Sequence, residues 1–146
     1  MRLAAATIVA SSILLWTACS LADPARPANI EPGKTFSLRV GESVRSDDGV
    51  LQIGFVGVAV DSRCPKGEQC IWAGSATIRV WLQQAGGPRL TRELHTASKA
   101  PQVEKLSGMD LRLVRLDPHP ISGRAIAQGD YIATLALDRD ASAPER

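Results

Sequence analysis

Ser75 to Gln84 alternates small or apolar with polar or outward-pointing side chains at period two. Wound into a helix, the run would scatter its apolar residues round the axis, so it is read as a strand. Ala76, Ile78, Val80 and Leu82 point one way; Thr77, Arg79, Trp81 and Gln83 point the other. Ala85-Gly86-Gly87-Pro88 reads as a hairpin loop, and Leu90 to Thr96 as the returning strand. Phe36-Ser37-Leu38-Arg39-Val40 alternates in the same way, and Asp47-Asp48-Gly49 is a turn signal. Val50 to Val60 is apolar but changes phase. Leu51, Ile53 and Phe55 share one face, and Val56, Val58 and Val60 the other, so a bulge near Gly54 and Gly57 is expected. The polar stretch 97–105 reads as a loop. Leu111 to Leu116 and Tyr131 to Leu137 complete the set, separated by the Pro- and Gly-rich stretch Asp117 to Gly129. Some seven short strands at this spacing predict an all-β fold: an antiparallel β-sandwich, immunoglobulin-like, with a small β-barrel as the alternative.

The N-terminus has a separate logic. Met1-Arg2 is followed by an uncharged run from Leu3 to Trp16, the pattern of a secretory signal. The run is shorter than the roughly 20 residues a spanning helix needs. Residues 1–18 are therefore read as a signal peptide, 19–33 as a tether, 34–140 as the β-sandwich domain and 141–146 as a disordered tail. Trp16-Thr17-Ala18-Cys19 resembles the lipobox of bacterial lipoproteins, although that family prefers Leu where Trp16 stands. The resemblance implies that Cys19 becomes the first mature residue and carries a diacylglycerol on its sulfur. The competing site is Ser20-Leu21-Ala22, with Asp23 as the mature start. Either reading accounts for the odd cysteine among three. Asp23 to Gly33 is rich in Pro and Ala, a composition that keeps a chain extended. The expected location is the bacterial cell envelope, anchored in the membrane through Cys19, with soluble periplasmic or secreted protein as the alternative.

Loss of Arg2 with the signal leaves 16 basic against 15 acidic residues. That balance, with no Lys/Arg cluster interleaved with aromatics, gives no reason to expect nucleic acid as a partner. About 110 residues remain beyond the tether, enough for one domain with a real core.

Cys64 and Cys70 are separated by five residues. In an exported chain the default is a disulfide, which closes the loop Pro65 to Gln69 and restricts the unfolded chain by about 2–3 kcal/mol. The spacing is not C-x-x-C, so a redox dithiol is disfavoured. A zinc site drawing on Cys64, Cys70, His95 and His119 is chemically conceivable, but the histidines stand in no ligand-like spacing. Continuing the strand phase back from Ile78 puts Gly74, Trp72 and Cys70 on the inward face. Trp72 is then expected to pack on the core beside the disulfide, and its deletion to cost about 3–5 kcal/mol. Trp81 has the outward phase. It either anchors a ligand or covers the second face of the sheet. Lys66, in the tied loop, is placed as a protease inhibitor would place a substrate-like side chain. Lys66, Arg79 and Trp81 thus form the candidate binding surface. Asp47, Asp48, Asp61, Asp117 and Asp130 all lie near turns, where Asp serves turn geometry. No nucleophile elbow, metalloprotease helix or P-loop is present, so no enzyme and no cofactor are expected.

Asp61-Ser62-Arg63-Cys64-Pro65 followed by Cys70-x-Trp72-Ala73-Gly74 resembles a pattern of uncharacterised bacterial envelope proteins, small, signal-bearing and often lipoprotein-like. The resemblance covers about 14 residues and loosely the strands flanking them. It implies an exported, disulfide-tied protein and transfers no catalytic residue. Gly129-Asp130-Tyr131 resembles the tyrosine corner of immunoglobulin-like sandwiches, and is equally an ordinary strand entry. The expected function is a non-enzymatic binding or structural module with an envelope protein as partner. A secreted inhibitor or regulator using the Cys64–Cys70 loop is the alternative, and a cryptic hydrolase the third reading.

Overall fold

Ala76, Ile78, Val80 and Leu82 are all buried, and they set the phase of the whole core. The computed structural model describes residues 29–96, 103–106 and 108–140; the signal segment, Cys19, most of the tether and residues 141–146 lie outside them. Nine strands are described: β1 (Asn29–Ile30), β2 (Thr35–Arg39), β3 (Ser43–Ser46), β4 (Leu51–Asp61), β5 (Ala76–Gln84), β6 (Leu90–His95), β7 (Val103–Leu106), β8 (Met109–Asp117) and β9 (Ile132–Arg139). A single 3-10 turn, Gln128–Asp130, is the only helical element among the described residues. Strand β7 overlaps the end of the stretch that its polarity marks as loop; Val103 and Lys105 are exposed, so its pattern carries little apolar signal. The fold also begins earlier than residue 34, because Ile30 in β1 is 1% exposed and belongs to the core.

The strands form two sheets, β1-β3-β4-β5-β6 and β2-β9-β8-β7, packed as a β-sandwich. All pairings are antiparallel except β1 with β3. From β2 onward the connectivity follows the chain round the two layers, with β9 returning beside β2, while β1 is added outside that circuit at the edge of β3. An immunoglobulin domain instead crosses between its sheets in Greek-key fashion. This order is that of an up-and-down barrel, but neither β6 with β7 nor β2 with β3 pairs, so the sheets do not close. The core between them holds Phe55, Ile53, Ile78, Val80, Leu111, Leu135 and their neighbours.

The expected bulge is present and has a second beside it. Register shifts fall between Phe55 and Gly57 and again between Val58 and Val60. Leu51, Ile53 and Phe55 face inward; the first shift turns Val58 inward and leaves Val56 exposed; the second leaves Val60 exposed. Only Val58 of the three valines therefore reaches the core. The two shifts cancel in phase, so Asp61, paired with the buried Ala76, faces the gap between the sheets. A third shift, between Leu113 and Arg115, lets Leu111 and Leu116 both face inward and turns Val114 out.

On the outer face of β5, Trp81 lies against Gly54, to which it is paired. A Cβ at residue 54 would meet the indole at 2.1 Å, so only glycine fits. The Arg89 guanidinium covers the ring at 4.1 Å from its centroid, a cation–π contact. Trp81 thus covers the second face of the sheet, with both sides of the ring occupied. Gly54→Ala should lower stability by about 1–3 kcal/mol in urea unfolding, through overpacking. The same substitution in a Trp81→Ala background should cost measurably less.

Candidate functional site

The β4–β5 hairpin does not end with its strands. Ser62 N–H donates to the Ser75 carbonyl at 2.8 Å and Cys64 N–H to the Ala73 carbonyl at 3.0 Å, so two further rungs carry the ladder to the disulfide. Cys64 and Cys70 are bonded, with Cα atoms 5.9 Å apart. The alternation of β5 does not propagate backwards through this region, because Gly74 has φ +66°. A Cβ there would stand 1.8 Å from the Ser62 carbonyl oxygen. This left-handed residue, accessible at low cost only to glycine, breaks the extended phase. The inward placement of Cys70 and Trp72 is therefore overturned: Cys70 is exposed, Ile71 is 94% exposed and Trp72 75% exposed.

The group that anchors the loop is one that turn-based reasoning missed. The Arg63 guanidinium forms a bidentate pair with the Asp61 carboxylate, Nε to Oδ1 at 2.8 Å and Nη2 to Oδ2 at 2.6 Å. Both side chains are 9% exposed. The same guanidinium donates from Nη1 to the Leu116 carbonyl at 2.6 Å and from Nη2 to the Pro118 carbonyl at 2.9 Å. The Arg63 backbone N–H and the Tyr131 hydroxyl complete the ring of donors round Asp61, at 3.2 Å and 3.1 Å. Tyr131 thus bonds across to the opposite sheet rather than back to its own strand, as a tyrosine corner would. The pair ties the end of β4 to the end of β8 and the start of β9. Burial pushes the Asp61 carboxyl up, but the hydrogen bonds and charge of Arg63, with the Tyr131 hydroxyl, hold it below the usual carboxylate value. Burial and then the Asp61 charge raise the Tyr131 phenol.

Strand β3 reaches only as far as Gly54, which leaves the upper edge of β4 open. The segment after β8 covers it. Gln128 accepts from Val58 N–H at 3.1 Å and donates to the Val58 carbonyl at 2.8 Å, imitating a paired strand. Further along, Lys66 N–H donates to the Pro120 carbonyl at 2.9 Å, and His119 Nε2 donates to the Cys64 carbonyl at 2.9 Å. The Lys66 backbone is thus engaged at home, while its side chain stands in solvent.

The six site residues are dispersed. Cys19 lies outside the described residues. Cys64 and Cys70 close the loop, and Lys66 sits within it. Arg79 is on the outer face of β5, paired with Glu93 at 3.1 Å, two residues from the covered Trp81. The zinc alternative loses its ligands: both thiols are consumed by the disulfide, and His95 Nδ1 is bonded to the Thr77 hydroxyl at 2.8 Å. Among the described residues no group of three or more His, Cys, Asp or Glu is placed to hold a metal. Beside the loop runs an open groove of about 410 Å³ lined by Lys66, Thr96, Arg115, Asp117 and His119. Arg115 is paired with Asp117 at 2.7 Å. Comparison with protein-family models, with curated proteins and with solved structures finds no match to this chain.

Asp61→Asn should lower stability at neutral pH by about 3–5 kcal/mol, since it leaves the Arg63 charge buried and unpaired. Because the folded carboxyl titrates below its unfolded value of about 3.9, the wild-type advantage holds above that pH and fades as pH falls through the folded value. Urea unfolding of both proteins along a pH series measures this. Trp72→Ala, now on the surface, should change stability by no more than about 0.5 kcal/mol. Trp81→Ala should cost distinctly more in the same assay.

Proposed function

We propose that the protein is a lipid-anchored module of the bacterial envelope, non-enzymatic, that binds through the end of the sandwich carrying the disulfide loop. The observation that carries this reading is the exposure of Ile71 and Trp72, 94% and 75%, on a loop whose base is locked three ways. The disulfide, the two extra rungs of the hairpin and the Asp61–Arg63 network all fix that base. The two residues adjoin, and contiguous exposed apolar surface is what marks interaction sites. Rigidity also lowers the ordering cost that a flexible loop incurs on binding.

The absence of a catalytic role rests on how the candidate groups are occupied. His119 holds the Cys64 carbonyl, His95 the Thr77 hydroxyl, and Asp61 is saturated by Arg63 and Tyr131. Asp48 caps its own turn by accepting from Val50 N–H at 2.9 Å. Each of these groups has a structural partner, and none stands free beside a nucleophile in the manner of a catalytic pair. The export half of the reading draws on the disulfide, which suits an oxidising compartment, and on Trp16-Thr17-Ala18-Cys19.

Mass spectrometry of the N-terminus of protein isolated from its native envelope tests the anchor. The expected species begins at Cys19 and carries acyl chains, and it partitions into detergent. An unmodified chain beginning at Asp23 would refute the anchored reading.

A further inference from the structure

We infer that Ile71 and Trp72 seat in the headgroup interface of the bilayer in which Cys19 is anchored, so that the sandwich lies disulfide-end down on the membrane. The inference rests on the anchored reading above and names the occupant of its binding end. Two adjacent residues, one aliphatic and one indole, stand 94% and 75% exposed directly after the Cys64–Cys70 ring. The indole is an amphipathic ring with a polar N–H, the chemistry that concentrates at membrane–water boundaries. A pair of exposed side chains on a rigid tip can enter that boundary without rearrangement of the fold.

The chain direction and the tether length select a bilayer as the occupant. Strand β1 runs parallel to β3 and hence antiparallel to β4, with Asn29 opposite Arg45 and Arg45 opposite Gln52. At Asn29 the backbone therefore comes from the side on which β4 continues towards Asp61. Gln52 to Asp61 runs opposite Gln83 to Ala76, seven rungs because of the two bulges, and the hairpin continues three rungs further to Cys64 opposite Ala73, about 34 Å in all at the rise of an antiparallel strand. Ten steps separate Cys19 from Asn29, at most about 33–36 Å when fully extended. An acylated Cys19 on a fully extended tether thus just reaches the level of Cys64, bringing the tip to the lipid surface that holds the anchor.

The charges beside the tip are suited to contact with phosphate. Lys66 lies inside the disulfide ring, is exposed, and makes no ion pair among the described residues. It lines the groove with Arg115 and His119, against the single acid Asp117. Glu68 stands two residues away in the same ring, so the ring itself is near neutral. The tip is accordingly held by apolar seating, with Lys66 giving a local contact, and its insertion should depend only weakly on salt.

The test uses the mature acylated protein, reconstituted in phosphatidylcholine–phosphatidylglycerol vesicles containing lipids brominated near the headgroup. Trp16 leaves with the signal, so Trp72 and Trp81 are the only indoles, and Trp81 is covered by Gly54 and Arg89. Bromolipid should quench the wild-type emission. The quenching should vanish in Trp72→Phe, persist in Trp81→Phe, and fall several-fold in Ile71→Ser, whose unfolding curve should match wild type. Acylated protein whose Trp72 emission is untouched by bromolipid overturns the inference and leaves the anchored reading standing. Trp72 shielded from iodide yet unquenched by bromolipid assigns the tip to a second copy or a protein partner, and overturns it too. A native mass for an unmodified chain from Asp23 overturns both readings.

Discussion

The buried pair of Asp61 and Arg63 is the interaction on which the loop end of this molecule depends. An ion pair taken out of water is stable only when its remaining donors and acceptors are satisfied. Here Asp61 accepts from the Arg63 guanidinium, the Arg63 backbone and the Tyr131 hydroxyl. Two more N–H groups of Arg63 donate to the carbonyls of Leu116 and Pro118. Leu116, Pro118 and Tyr131 stand at the end of the sheet opposite the one that carries Asp61, so the pair sets where the end of one layer sits over the other. The planar, forked geometry of guanidinium is what lets one side chain reach a carboxylate and two carbonyls together; a lysine could not.

Two features of β4 deliver Asp61 to that position. Its paired bulges shift the phase and then restore it, so that an acid at the end of an apolar strand faces inward. The shortness of β3 leaves the upper edge of β4 open, and the segment through Gln128 fills the gap with side-chain amide bonds to Val58. Once that segment lies along the strand, its carbonyls and Tyr131 are within reach of Asp61 and Arg63. The disulfide then adds a covalent tie beyond the pair, and the side chains following it are left in solvent. Anchoring and exposure are consequences of one construction: a base too well held to fold back, carrying a tip too short to bury itself.

The phase of β5 was legible because a period-two run with branched apolar residues has one stable solution, a half-buried strand. The Asp47–Gly49 turn and the first bulge were legible for the same local reason, since glycine and aspartate report on backbone conformation at their own positions. The alternation points Trp72 inward only if it runs on through Gly74, where a left-handed φ ends it. Strand β7 was missed because an edge strand with exposed Val103 and Lys105 carries little apolar signal. The Asp61–Arg63 pair escaped because Asp beside a loop usually serves the turn. The one hint was an acid and an arginine two residues apart immediately before a cysteine.

What the sequence by itself determined is the all-β class, the pairing partner of each tied cysteine and the inward face of β5, all set by interactions within a few residues. The tertiary structure decided the meander connectivity, the joining of Asp61 to Tyr131 seventy residues away, and the exposure of the tip. Those depend on which distant segment covers the open edge of β4, and no local preference encodes that choice. Whether a tryptophan is core or surface is likewise fixed by what packs over it. For Trp81 that is an arginine eight residues on and a glycine on the neighbouring strand; the fold places Trp72 instead on a tip held out in water.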